Sequence, residues 1–479
     1  PTLAIAGLLP REKLPEPHLL IQLLPFLQST LGRRFNQWTG MSARIMPLIT
    51  RGLVDGRRAS WLTHPVRRAA EDRILEFLGQ VQNPTGSLSG VLIYTAQLVS
   101  ALVLMQVPQN DPRLSAALDA LASFRIPNAA GMEYMPCTAE IWNTAVAVRT
   151  TLRAGGDART PAIDAAIAWL ISHQTTIDAP RSWQNPRPGA PRQGGWPFEA
   201  TNVRNPDCDT TAAVLSALGW VIKRGERGDV RCALERGLQW LLPMQNADGG
   251  WPSMTRGLGE KPPGPMFTEP FSPPTTPAEM LGLAIHPPLE LQDPSTAAMT
   301  GRIVRALADC GIAKDAPALS AARDFLRAQQ WHHRWWGRWE VNWIAGTAYG
   351  LIGAAGTSAD LSSDWITRAA AWIASRQNPD GGFGERTETY RDWQAGGPWP
   401  SRADLTGKVL MALVEVRGPN DDTVQRAADY LLSTQREDGT WRTDDGEYVI
   451  LPPDLFYTNP LCNQIDATEG LIWYREAMS

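Results

Sequence analysis

At 479 residues, with 43% apolar residues and a net charge of −4, the chain is long enough for two or three domains with large cores. It carries no lysine/arginine run that could track a phosphate backbone, which argues against nucleic acid as a partner. Its five cysteines, Cys137, Cys208, Cys232, Cys310 and Cys462, form no C-x-x-C pair and are odd in number. That speaks against a disulfide framework or a zinc knuckle and fits a cytoplasmic protein.

Along the chain, the opening "PTLAIAGLLPREKLPEPH" has neither an initiator methionine nor a signal-peptide pattern, so native sequence is expected upstream of Pro1. The most apolar stretch, Val91 to Val107, is broken by Tyr94, Thr95, Gln97, Ser100 and Gln106. It falls short of the ~20 apolar residues of a membrane span. A repeat then accounts for many of the twenty tryptophans. Its clearest copies are "GLQWLLPMQNADGGW" (Gly237 to Trp251), "AAAWIASRQNPDGGF" (Ala369 to Phe383) and "AADYLLSTQREDGTW" (Ala427 to Trp441). Degenerate copies are "ILEFLGQVQNPTG" (Ile74 to Gly86), "AIAWLISHQ" (Ala166 to Gln174) and "ARDFLRAQQWHHRWWGRW" (Ala322 to Trp339). Each predicts a helix with an aromatic–aliphatic pair, then a glutamine, a turn and an aromatic. A glutamine there can satisfy orphan backbone groups of a helix end, while the aromatic packs back on the next unit. Between copies, segments such as "DTTAAVLSALGWVI" and "RADLTGKVLMALVEV" space apolar residues by three and four, with no period-2 stretch. The expected fold is all-α, with helical hairpins stacked by the repeat and closed into a toroid.

One segment carries chemistry. In "NPDCDTTAAVLSAL" (Asn205 to Leu218), Asp207 and Asp209 stand one residue apart at the start of an amphipathic helix. Taken alone, the pair is most simply a helix cap, since aspartate is a favoured N-cap residue.

In context the segment resembles the squalene-hopene cyclase and class II terpene cyclase superfamily. The repeats resemble that family's QW motifs. "GGWPFEATNVRNPDCDTTA" resembles the approach to its catalytic D-x-D-D-T-A motif. "AEIWNTAVAV", "DPSTAAMTGRIVRAL", "WWGRWEVNWIAGT" and "ILPPDLFYTNPL" follow in the family's order, and "LAIAGLLPREKLPEPHLLIQLLP" and "MSARIMPLI" resemble the middle of its insert, or γ, barrel. The resemblance implies a βγ pair of α/α barrels: residues 1–136 as an incomplete γ domain and 137–479 as the catalytic β domain. Class II cyclases protonate an alkene or epoxide, which needs a buried acid that holds its proton and yields a stabilised carboxylate. The resemblance makes Asp209 that acid and Asp207 its partner. Thr210 stands where the family has another aspartate, giving a D-x-D-T-T variant.

The resemblance also assigns a pocket. Trp142, Phe198 and Trp339 match aromatic walls near the first rings, where π faces stabilise cations. Met254 and Ala345 replace tyrosines, and Leu451 and Leu455 replace phenylalanines that serve later rings, which suits a cascade ending after two rings. Arg302 stands where squalene-hopene cyclases have a histidine contacting the acid. A guanidinium there lowers a carboxyl's pKa if it pairs with Asp209, and leaves it alone if it pairs with Asp207.

The D-x-D-T-T variant resembles bacterial drimenyl and halimadienyl diphosphate synthases. The expected substrate is therefore a linear isoprenoid, farnesyl or geranylgeranyl diphosphate, and the expected product a bicyclic drimane- or labdane-type diphosphate. A retained diphosphate requires a basic anchor, with Mg2+ as the one cofactor to expect. The candidates are Arg256, Lys261, Arg338, Arg402 and Lys408. The class I D-D-x-x-D signature is absent, and the six histidines offer no prenyltransferase-type zinc set. Two alternatives stand beside this reading: a squalene-type cyclase of a neutral polyprene, and a helical-barrel binding protein that has lost its chemistry. Such a protein is compatible with peripheral membrane contact, and its oligomeric state stays open.

Overall fold

The computed structural model describes residues 64–128, 131–176, 190, 192–203, 205–225, 227–257, 263–264, 293–390, 392, 397–442, 448–451 and 455–479. The chain divides into two compact units. The first comprises Pro1–Ala139, Glu199–Asn202 and Phe271–Gln292, and the second Glu140–Phe198, Val203–Pro270 and Asp293–Ser479.

In the first unit, α1 (His64–Val81), α2 (Leu92–Leu104) and α3 (Pro112–Ser123) are followed by a hairpin of β1 (Arg125–Asn128) and β2 (Gly131–Tyr134). Leu78, Leu88, Leu98, Leu102 and Leu114 form its core. Asp111 starts α3 by accepting the Arg113 amide, with Pro112 in the first turn, where a missing N–H costs nothing.

The second unit is a ring of helices. α4 (Glu140–Arg153), α6 (Cys208–Arg224), α8 (Ala297–Asp309), α10 (Trp343–Ala355), α12 (Ala403–Arg417) and α14 (Pro460–Met478) pack each on the next, and α14 returns to α4. Outside them, α5 (Pro161–Ser172) and α7 (Gly228–Leu241) lie on α4 and α6. α9 (Pro317–Ala328), α11 (Asp364–Ala374) and α13 (Asp422–Thr434) each bridge two neighbouring inner helices. This is the expected α/α barrel. Layer follows composition. α13 buries one stripe, Val424, Ala427, Ala428 and Leu431, at the spacing of an amphipathic helix. Inner α10, "WIAGTAYGLIGAA", is buried along its whole length.

Small residues let the inner helices approach closely. A Cβ on Gly301 would sit 2.0 Å from the Tyr349 carbonyl oxygen, and one on Gly407 2.1 Å from that of Asp466. These contacts fix α8 on α10 and α12 on α14. Among the described residues, the β-strands form short antiparallel pairs. In the second unit these are β3 (Trp196–Pro197) with β4 (Pro206–Asp207), and β5 (Tyr448–Leu451) with β6 (Leu455–Tyr457).

The repeat works through hydrogen bonds. Gln245 Nε2 donates to Gly249 O in its own turn and to Ala318 O at the start of α9, both at 2.8 Å. Gln377 does the same to Gly381 O and Thr423 O, and Gln174 to Gly194 O and Ala233 O. The aromatic after each turn then ties one layer to the other. The indole N–H of Trp196, Trp251, Trp335 and Trp441 donates to Leu170, Leu241, Leu326 and Leu431 respectively. Each acceptor lies in the last turn of an outer helix, where carbonyls lack an intrahelical partner. The backbone N–H of Trp196, Trp251, Trp335 and Phe383 donates to Thr211, Thr300, Thr347 and Thr406 on the next inner helix.

Trp251→Phe removes the indole N–H that ties Leu241 to the turn and leaves a small cavity where the fully buried indole was, so a loss of ~1–3 kcal/mol is expected in urea unfolding. Gln435 is exposed and donates only to Gly439 O within its own turn. Gln435→Ala is expected to cost less than ~0.5 kcal/mol in the same measurement.

Candidate active site

The N-terminus of α6 is where the two aspartates separate in role. Asp207 is the N-cap, with extended backbone at φ −125° and ψ 160°, and its Oδ1 accepts the Thr210 amide at 2.7 Å. The cap reading therefore holds for Asp207 but not for Asp209. Asp209 sits in the first turn and meets Arg302 Nη2 through Oδ2 at 3.1 Å, and it also accepts the Trp142 indole N–H. Arg302 thus pairs with Asp209, and its Nη1 reaches Glu340 Oε1 at 2.8 Å. The Arg302 guanidinium also lies over the Tyr349 ring, 5.2 Å from its centroid. The side chains of Asp209, Arg302 and Glu340 are 18%, 10% and 4% exposed.

A cavity of about 30 Å³ opens onto Asp209, and Trp142, Arg149, Arg302, Arg305, Tyr349 and Asp466 help to line it. Behind it run two further ionic clusters. Glu469 of α14 is held by Arg149 at 2.7 Å, Arg305 at 2.8 Å and the Thr150 hydroxyl at 2.6 Å. Lys408 of α12 lies 2.6 Å from Asp466 and 3.4 Å from Asp404.

Burial dominates the electrostatics, because it penalises every charged form. It pushes the Asp207 carboxyl up to about 7, helped by the nearby Asp209 charge and opposed by the Thr210 amide. Asp209 is raised by burial too, against the pull of Arg302, Arg149 and the Trp142 hydrogen bond. Burial raises Asp466 to about 6 despite Lys408, and its carboxylate neighbours Glu340 and Asp404 push the same way. Two carboxylates go the other way: Arg402 and Lys408 hold Asp404 down against its burial, and Arg149 and Arg305 together hold Glu469 down to about 2.

The remaining sequence candidates fall in different places. Thr210 is buried in the first turn of α6. Trp339 Nε1 donates to Ser253 Oγ at 2.8 Å, and Ser253 O accepts the Cys208 amide at 2.8 Å, so this tryptophan is tied to the base of α6. Phe198 is half-buried just beyond β3, and Met254 is 46% exposed. Ala345 is buried on α10, one helical turn before Tyr349 on the same face. Leu451 and Leu455 are backbone partners across the β5–β6 hairpin; the described residues do not extend to their side chains.

Among the proposed anchors, Lys408 is enclosed by Asp404 and Asp466, and Arg402 pairs with Asp404 at 2.8 Å. Arg338 lies 3.7 Å from Asp293 and over the Trp339 ring. Arg256 Nε donates to Gln245 O, and Lys261 lies outside the described residues. Sequence reading missed Arg149, Arg305, Glu340, Tyr349, Asp466 and Glu469. A signal existed for one of them: Arg302 and Arg305 are three apart in "RIVRAL", which puts both on one helix face.

Glu469→Gln would leave Arg149 and Arg305 sharing no counter-charge, so a loss of ~3–5 kcal/mol is expected near neutral pH. The folded pKa of Glu469 lies below its unfolded value, so its contribution is present above that value and lost as pH falls through about 2. Urea midpoints of the variant and the parent should accordingly converge toward pH 2.

Comparison with known proteins places this geometry. The profile of the squalene-hopene cyclase C-terminal domain matches residues 138–261 and 281–459. A squalene–hopene cyclase of Bradyrhizobium diazoefficiens is 29% identical over 463 residues, 95% of this chain and 67% of that protein. One of Zymomonas mobilis is 28% identical over 388 residues, 79% of this chain and 56% of that protein. The chain thus spans roughly half to two thirds of the curated relatives it matches. The structure of ent-copalyl diphosphate synthase from Streptomyces platensis aligns over 96% of this chain and 77% of that chain, at 16% identity and a TM-score of 0.49. With the profile matching well over half of its length, the chain belongs to the squalene-hopene cyclase family and hence to the class II terpene cyclases, an enzyme superfamily.

Proposed function

We propose that this protein protonates a linear prenyl diphosphate, farnesyl or geranylgeranyl, at Asp209 and closes it to a bicyclic diphosphate. The observation that carries the reading is a buried carboxyl of raised pKa that opens onto a cavity, hydrogen-bonded by Trp142 and ion-paired with Arg302. Burial favours the protonated form of Asp209, and the Trp142 N–H and the Arg302 charge stabilise the carboxylate once the proton has gone to the alkene. Asp207 caps α6, and burial together with the nearby Asp209 charge holds its own carboxyl up at about 7. Trp142 and Tyr349 offer aromatic faces to the first cation.

The short cascade follows from the later positions. Met254, Ala345, Leu451 and Leu455 supply no π face for a charge moving further along the chain, so the cation loses a proton or meets water early. The cavity is small, so substrate entry requires side chains along it to move. Lys408 and Arg402 are engaged by carboxylates and Arg338 lies 3.7 Å from Asp293, so a diphosphate held by any of them takes the place of an existing partner. Among the described residues no cluster of three His, Cys, Asp or Glu is placed to hold a metal ion. Mg2+ is the cofactor this reading expects, as a counter-ion of the diphosphate.

A neutral polyprene is the second reading. The curated relatives are named squalene–hopene cyclases, and the carboxylates around Lys408 and Arg402 favour it. Incubation with farnesyl diphosphate, geranylgeranyl diphosphate and squalene, followed by mass spectrometry, separates the two. A bicyclic diphosphate is expected, with squalene a poor substrate, and a pentacyclic product would overturn the short cascade. Asp209→Asn keeps size and hydrogen bonding but cannot donate the proton, so product should fall by at least ~10³-fold with the fold intact by circular dichroism. Undiminished turnover would move the acid elsewhere.

A further inference from the structure

Arg302 poses a problem for an acid. A guanidinium 3.1 Å from Asp209 favours the carboxylate, and Arg149 on α4 adds to that pull. In a buried site, the protonation state that leaves the local cluster neutral is favoured. For Arg302 and Asp209 alone, that state is the ion pair, with the proton gone.

Glu340 changes the count. Its Oε1 holds Arg302 Nη1 at 2.8 Å, so Arg302 is already neutralised. The cluster of Glu340, Arg302 and Asp209 is then neutral only when Asp209 carries its proton. The other carboxylate oxygen, Glu340 Oε2, is buried and has no hydrogen-bond partner. A half-satisfied buried carboxylate costs stability, and its packing gives no reason for it. Its backbone is firmly placed: the Glu340 carbonyl accepts the Tyr390 hydroxyl at 2.7 Å, and residue 340 bridges to Tyr448. Adjacent Trp339 is tied through Ser253 to the base of α6.

We propose that Glu340 is a positioning residue for the acid, which holds Arg302 away from exclusive pairing with Asp209 and so sets the pH range over which Asp209 stays protonated. This rests on Asp209 being the proton donor. The charged and titratable groups facing the triad are Arg149 from α4, Asp207 from the α6 N-cap, Tyr349 from α10, Tyr390, and Tyr448 from β5. Lys408 and Asp404 face it from α12, and Cys462 and Asp466 from α14. None of them sits between Arg302 and Glu340, so removing the Glu340 charge acts on Asp209 directly through the guanidinium.

The sign follows. Glu340→Gln leaves Arg302 to Asp209 alone and removes a like charge, and both changes lower the pKa of Asp209. The protonated form is the active one, so the falling limb of the rate–pH profile moves to lower pH. Turnover near neutral pH drops about tenfold for each pH unit of that shift and recovers in acid. The midpoint of Asp209 itself is read without turnover, from infrared difference spectra of its carboxyl band between each protein and the same protein carrying Asp209→Asn. A lowered midpoint in Glu340→Gln, with a smaller shift in Glu340→Asp, is the expected result. An unchanged midpoint, or a loss of rate equal at every pH, would make Glu340 merely structural and overturn the proposal. Should Glu340→Gln fail to fold, Glu340→Asp decides: its one-methylene retraction must still lower the midpoint. A lowered midpoint in a protein that cyclises none of the three polyprenes would refute the proposed function while leaving the Glu340 effect standing.

Discussion

The structure depends on one recurring interaction, the link from the tryptophan that follows each turn to the helices on either side of it. Its indole N–H takes a carbonyl left open in the last turn of an outer helix, and its backbone N–H meets a threonine hydroxyl on the next inner helix. A helix end normally leaves such carbonyls to water or to a cap. Here they become the joints of the barrel, and the aromatic ring fills the gap between layers. Gln174, Gln245 and Gln377 bind the following outer helix in the same way. Repetition of this joint lets residues with little local similarity stack into one closed ring.

Closing the ring creates an interior that no single helix could provide. An interior lined by six inner helices would be expected to enclose only apolar side chains, yet this one holds Arg149, Arg302, Arg305 and Lys408 with Asp209, Glu340, Asp404, Asp466 and Glu469. Buried ion pairs rarely add stability once desolvation is counted. Their concentration at one place is what the proposed chemistry asks for, since a site that holds a proton at rest and a carboxylate afterwards needs charges arranged around it. Asp207 and Asp209 show the same division at short range. One residue apart in sequence, the first serves the helix and the second faces the cavity.

Much of the barrel was legible before any coordinates. The repeat, the three- and four-residue apolar spacing and the N-cap at Asp207 are local signals, governed by helix geometry and backbone hydrogen bonding. So was the proximity of Arg302 to the Asp207–Asp209 pair, through the family resemblance, though not which of the two it meets. The short β pairs were not foreseen, because two- to four-residue strands at helix junctions carry no period of their own. The diphosphate anchors were read from charge alone. Lys408 looked available on a helix, and only the fold shows that it lies between Asp404 and Asp466.

What the sequence by itself determined is therefore the helical register, the joints between hairpins and the family to which they belong, all set by residues close together in the chain. Only the tertiary structure decided which charges meet. Arg302 and Glu340 are 38 residues apart, and Arg149 and Glu469 are 320 apart. Pairing at such distances is fixed by how the ring closes and by the cost of leaving a buried charge alone, and neither is written in any local pattern.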